Sequence, residues 1–231
     1  MALCGAEPEI EVQIHVGTRI PYNILMDKTE ALHELEAEMA KDASLQFQES
    51  NLVFGEGDPN CRVMFIGEAP GYFENKLKRP FVGRGGELLN DLIKSIGWKR
   101  EDVYITNIIR RRPPENRDPS PDEIEAYKPY LTRQIEIMTP PLIVALGRFA
   151  MNYFLPDAKI TRDHGRVFRV NGRLVVPLYH PAAALRSTQM MSVLREDFKK
   201  LPGILAGKSA VEEILIQAQS KSKKPPQPKL F

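Results

Sequence analysis

Two cysteines, Cys4 and Cys61, are all that 231 residues provide. That count cannot build a disulfide framework and points to a reducing compartment, with a cytoplasmic protein as the expectation. No apolar run approaches the ~20 residues of a membrane-crossing helix, and the N-terminus lacks a secretory pattern. Net charge is scarce as well: 32 basic against 30 acidic side chains leave +2. Nucleic-acid binding is therefore not demanded by the total and has to be argued from where the charge lies. No internal repeat is evident. What is present, 42% hydrophobic and 27% charged residues, suits an enzyme of one domain plus extensions.

The most informative stretch is Met64-Phe-Ile-Gly-Glu-Ala-Pro-Gly71. An apolar run over residues 63–66 ends in a Gly/Pro loop, followed by Arg79-Pro-Phe-Val-Gly83 and a helical pattern. A loop at the carboxyl end of a strand is where an open α/β sheet places its ligand. Gly67 and Gly71 let the backbone approach a substrate, Pro70 stiffens the turn, and Glu68 and Glu74 set two carboxylates at the rim. Most such loops are only turns. Two further polar strand ends, Tyr104-Ile-Thr-Asn107 and Leu178-Tyr-His-Pro181, turn this one into a candidate site.

Around that site the chain alternates strand and helix. Residues 8–16 alternate apolar and polar as a half-buried strand, forming an N-terminal β extension over 1–26. Asp27 with Glu30 is a capping-box pattern for a first helix, and Ser120, Pro121 and Glu123 form another. Strands are predicted at 63–66, 103–106 and 142–146, with helices over 86–96, from 120 and from 148. Asn171-Gly172 reads as a type I′ hairpin turn between 167–170 and 174–176, the second strand running on to His180. Helices over 189–200 and about 210–219 close the pattern. The fold predicted is three-layer α/β/α, its central, mostly parallel sheet four-stranded, in a domain over 27–219. Residues 220–231, rich in lysine and proline, read as a disordered basic tail.

The order Gly-Glu-Ala-Pro-Gly, Arg-Pro-Phe-Val-Gly-Arg-Gly-Gly, Val-Tyr-Ile-Thr-Asn, Arg-Arg-Pro-Pro-Glu-Asn-Arg-Asp-Pro, Ile-Val-Ala-Leu-Gly and His-Pro-Ala-Ala-Ala-Leu-Arg resembles the family 4 uracil-DNA glycosylases, from about Leu32 to about Leu201. The resemblance implies a DNA repair enzyme that flips uracil from single- or double-stranded DNA and hydrolyses its N-glycosidic bond. A strand-end Asn ordinarily caps a turn, but Asn107 can accept from uracil N3–H and donate to O4, a pattern that cytosine reverses. His180 can donate to the oxyanion developing at O2. Phe81, elsewhere a core residue, would stack on the base, with Gly67 and Ala69 beside it. The resemblance implies that Glu68 sits at the pocket floor and holds the attacking water. It implies that Glu74 walls the pocket at uracil C5. Neither glutamate is chosen as the general base. For the DNA backbone the candidates are Gly147 and Arg148 at a helix start, Arg110 to Arg112 with Arg117 as a basic patch, and Leu185 or Arg186 as the wedge in the duplex.

The resembled family holds an iron–sulfur cluster on four cysteines. Their positions fall near Ala40, Ala43, Arg111 and Tyr127 here, so a thiolate-held cluster, and any cofactor or metal, is expected to be absent. Tyr127 and the Ala40/Ala43 face are expected to fill the space with apolar packing. In the tail, Gln227-Pro-Lys-Leu-Phe231 resembles the peptide by which replication and repair proteins bind a sliding clamp, implying Gln227, Leu230 and Phe231 as contacts. The expected protein is a monomer at the nucleoid. Two alternatives stand beside it: a glycosylase for hypoxanthine or xanthine, and a catalytically silent DNA-binding module that recruits repair proteins. A small-nucleotide hydrolase would need a phosphate loop or metal carboxylates, and neither is visible.

Overall fold

The computed structural model describes residues 27–213. The expected β extension and the clamp-binding residues Gln227, Leu230 and Phe231 lie outside them. The strands are β1 (Glu56–Gly57), β2 (Val63–Gly67), β3 (Tyr104–Asn107), β4 (Leu142–Leu146), β5 (Phe168–Val170), β6 (Arg173–Leu178) and β7 (Glu212–Glu213). They form one sheet in the order β1-β3-β2-β4-β6-β5-β7. Its centre, β3-β2-β4-β6, is parallel throughout, which is the four-stranded sheet expected. The edges correct that count to seven. β1 pairs antiparallel with β3, and two residues are too few to leave a periodic signal. At the other edge β5 pairs antiparallel with β6 and parallel with β7. Residues 212 and 213 are therefore extended where a helix over 210–219 was expected.

Alternation along each central strand divides the core into two layers. Met64 and Ile66 of β2, with Ile143 and Ala145 of β4, face one cluster; Val63, Phe65, Leu142, Val144 and Leu146 face the other. The first is covered by α1 (Lys28–Lys41), α4 (Pro121–Met138) and α5 (Arg148–Phe154). The second is covered by α3 (Arg84–Ser95) and α8 (Thr188–Leu205), whose Phe198 ring lies stacked 5.8 Å from Phe65. A strand buried on both faces reads as a continuous apolar run, which is why 142–146 was legible. Each such side chain contributes about 1.5–3 kcal/mol through burial.

Local signals place the ends. Ser120 accepts from Glu123 N while the Glu123 carboxylate accepts from Ser120 N at 2.7 Å, the capping box expected. At α1 the Asp27 side chain accepts from Thr29 N instead of forming the reciprocal pair expected with Glu30. Asn171 and Gly172 both have positive φ, 47° and 79°, as a type I′ turn requires. Three short helices complete the fold: α2 (Tyr72–Leu77), α6 (Ile160–Asp163) and α7 (Pro181–Ala184).

Candidate active site

A cavity of about 360 Å3 opens at the carboxyl ends of the parallel strands, within the usual range for small-ligand sites. Asn107, Phe81, His180, Ala69 and Glu74 line it, together with Tyr72, Phe73 and Asn116. Asn107 ends β3 directly opposite Gly67, which ends β2. The ladder continues past both, Ile108 N donating to Gly67 O at 3.0 Å and Ile109 N to Glu68 O at 2.9 Å. A Cβ on Gly67 would lie 2.5 Å from Asn107 Oδ1 and 2.5 Å from Phe81 Cζ. Glycine is therefore what lets the carboxamide and the ring share one wall.

Phe81 is held in a backbone conformation that residues other than glycine rarely adopt, φ 50°. Several contacts hold it there. Glu74 accepts from Val82 N at 2.9 Å and Gly83 N at 2.7 Å with one oxygen, and from Gly71 N at 3.1 Å with the other. Arg100 donates to Pro80 O at 2.6 Å and Phe81 O at 3.3 Å, and is itself held by Glu56 and Asn90. Behind the loop, Gly86 has no room for a Cβ, which would sit 2.0 Å from the Phe81 carbonyl. Glu74 thus lines the cavity with both carboxylate oxygens already engaged. Arg100, Glu56 and Asn90 were missed in the sequence because they lie outside the motif runs, and Asn116, though inside one, carried no signal of its own.

His180 caps α7, and its Nδ1 accepts from Ala182 N at 3.2 Å. An acceptor at Nδ1 puts the proton of a neutral imidazole on Nε2. Burial pushes the His180 pKa down to about 4, against the opposing pull of the Glu74 charge, so the ring is neutral at pH 7. Its plane lies 26° from that of Phe81, with centroids 5.5 Å apart. Gly147, with φ 90°, packs beneath it: a Cβ there would lie 3.1 Å from His180 Cβ. Glu68 follows β2 but does not line the cavity. Burial, reinforced by the charge of Asp118 and opposed by Arg148, raises its pKa to about 7.

The DNA-facing candidates separate on burial. Arg148 is 60% exposed and paired with Asp118. Arg112 is half-exposed, donating to Asn116 Oδ1 at 2.7 Å. Leu185, 39% exposed, and Arg186, also exposed, follow α7. Arg110 is a correction. It is 1% exposed, and its guanidinium bonds Thr106 Oγ1 and Gln134 Oε1, so it cannot reach a DNA backbone. Arg111 is also buried, and Arg117 is engaged by both Glu123 oxygens, so the triple-arginine run contributes Arg112 alone to the surface near the cavity.

The four positions of the resembled cluster do not fit such a group. Arg111 Nη1 donates to Ser50 O at 2.5 Å and the Tyr127 hydroxyl to Gln46 O at 2.7 Å. A guanidinium and a protonated phenol in these roles are not thiolate ligands. The filling also differs from expectation: Ala40 and Ala43 are exposed, while Tyr127 and Arg111 fill the interior through polar tethers. Among the described residues no group of three or more His, Cys, Asp or Glu could hold a metal ion. Cys61 is buried, and burial first, then the Asp58 charge, push its thiol up to about 12.

A carboxamide, an aromatic ring and a neutral imidazole thus share one cavity at the carboxyl end of a parallel sheet, where such folds place small ligands. Comparison with known proteins agrees. The model of the uracil DNA glycosylase superfamily matches residues 54–201. A type-4 uracil-DNA glycosylase of Sulfurisphaera tokodaii is 44% identical over 188 residues, covering 76% of this chain and 84% of that protein. One of Archaeoglobus fulgidus is 43% identical over 177 residues, covering 73% and 88%, and one of Thermotoga maritima 41% over 179, covering 74% and 93%. The chain belongs to the uracil DNA glycosylase superfamily, in its type-4 branch.

Proposed function

We propose that this protein releases uracil from DNA, hydrolysing the N-glycosidic bond and leaving an abasic site. The observation that carries the reading is the bond from Ala182 N to His180 Nδ1, which leaves Nε2–H as a fixed, uncharged donor beside Phe81 and Asn107. A flipped uracil stacks on Phe81 and pairs its N3–H and O4 with the Asn107 carboxamide. As the C1′–N1 bond breaks, its electron pair leaves with the base, and His180 Nε2–H donates to the charge growing at O2. A neutral donor suits that role, since it keeps its proton and still stabilises the anion. Water adds its oxygen to the sugar carbon and passes a proton to Glu68, which lies outside the cavity lining but directly precedes Ala69 of that lining, and whose pKa of about 7 lets it act as a base near neutrality. Glu74 holds the Phe81 loop and closes the wall at C5.

Arg112, Arg148, Leu185 and Arg186 grip the DNA. The enzyme works without an iron–sulfur cluster, because Arg111 and Tyr127 occupy two of the four ligand positions in bonds of their own. We also place it at the nucleoid as a monomer, with Gln227, Leu230 and Phe231 as a sliding-clamp peptide.

Uracil release from a uracil-containing oligonucleotide, measured with a chelator present, tests the reading. The wild type is expected to release base, His180→Ala to lose about 10²–10³ in rate, and Asn107→Ala to lose activity on uracil. Binding without base release under these conditions would leave the recruitment-module reading. A faster release of hypoxanthine or xanthine than of uracil would shift the substrate.

A further inference from the structure

Among the described residues four large apolar side chains are exposed, and three of them share one six-residue helix. Tyr72 is 54% exposed, Phe73 55% and Leu77 54%; the fourth, Leu185, is 39%. Tyr72 and Phe73 also form the rim of the cavity. They lie edge to face, centroids 5.4 Å apart at 82°. The Arg112 guanidinium sits 5.4 Å from the Tyr72 centroid, steadied by its bond to Asn116. The surrounding segment is rich in cations, although Arg79 is paired with Glu56. Residues 72–84 contain Lys76, Lys78, Arg79 and Arg84 against Glu74 alone, and the Glu74 carboxylate is consumed by backbone amides.

We propose that Tyr72 and Phe73 form a stacking platform for the unpaired bases beside the flipped uracil, so that this enzyme favours single-stranded DNA. The proposal rests on the uracil-release reading above and extends that site by one or two nucleotides. Two aromatic faces left in water beside a base pocket, ringed by cations, match the chemistry of a single strand: π-faces for any base and a basic track for phosphates. A protein partner would be served equally well by the apolar surface, but not by its continuity with the pocket mouth or by the surrounding positive charge. Duplex DNA gains less, because its flanking bases remain stacked on one another.

The test compares kcat/KM for uracil in a single strand and in the matching duplex, together with binding of both at several salt concentrations. Stacking on an aromatic ring changes affinity by about 5- to 150-fold per base. Tyr72→Ala/Phe73→Ala is therefore expected to lower the single-strand to duplex ratio of kcat/KM at least tenfold. It should act through KM and leave the salt dependence of binding unchanged, since no cation is removed. Tyr72→Trp/Phe73→Trp should keep the ratio. Leu77→Ala, exposed on the same helix but away from the cavity lining, should leave activity and the ratio as they are. A ratio that stays within twofold in the double alanine variant, or equal losses on both substrates, overturns the platform. A wild type that binds single strands tightly through Tyr72 and Phe73 yet frees no uracil would sink the uracil-release reading and leave the platform standing.

Discussion

In the proposed mechanism His180, as a hydrogen-bond donor, and Glu68, as a base, are set apart by environment. Both are partly withdrawn from water, which disfavours the charged form of each: the imidazole is held neutral with its pKa near 4, and the carboxyl is raised to about 7. Between pH 6 and 9 His180 stays neutral, so in this mechanism Glu68 sets the profile. The expected pH dependence of kcat/KM is a single ascending limb with its midpoint near pH 7, flat above pH 8 as the carboxylate becomes fully ionised. Glu68→Gln should remove the limb and lower the rate by at least about 10²-fold. A limb that persists in the glutamine variant would move the base elsewhere. Gly67 shows the same economy of space from the other side, since any side chain there meets both Asn107 and Phe81.

At the scale of elements, the site depends on how the α2–α3 loop is tied. Glu74 gathers the Val82 and Gly83 amides at the end of that loop and the Gly71 amide before α2, and Arg100 holds the carbonyls of Pro80 and Phe81 from behind. Glu74→Ala leaves the Gly71, Val82 and Gly83 amides without their acceptor, a cost of about 1–3 kcal/mol. Urea titration should read that loss, and the Val82 and Gly83 amides should exchange faster with solvent. Local chemistry made much of the framework legible: the buried run of β4, the Asn171-Gly172 turn, the Ser120/Glu123 cap and the three polar strand ends. What stayed hidden depends on distance along the chain. Arg110 reads as solvated among three arginines, and only Thr106, Gln134 and Tyr104, brought together by β3 and α4, explain its burial. Glu74 reads as a free carboxylate until the loop folds back on it. β1 was invisible because it is two residues long.

The whole molecule sets a four-strand parallel centre between two helical layers, with every assigned pocket group at one end. Arg111 and Tyr127 tether the segment after α1 through their bonds to Ser50 O and Gln46 O. The clamp proposal belongs to this scale too. Deleting residues 227–231 should abolish retention on a sliding clamp in a pull-down while base release from short oligonucleotides continues at the wild-type rate. The register of β2 against β3 carries one more consequence. Gly67 and Asn107 are paired rungs, and the next bonds of the ladder run from Ile108 N to Gly67 O and from Ile109 N to Glu68 O. Among the described residues, Asn107 and Gly67 of the proposed site thus continue the buried centre of the sheet. A site built this way is expected to be lost only with the fold. Activity and tertiary signal should disappear together along a denaturant titration, and the motion that limits turnover has to be sought in the DNA rather than in the protein.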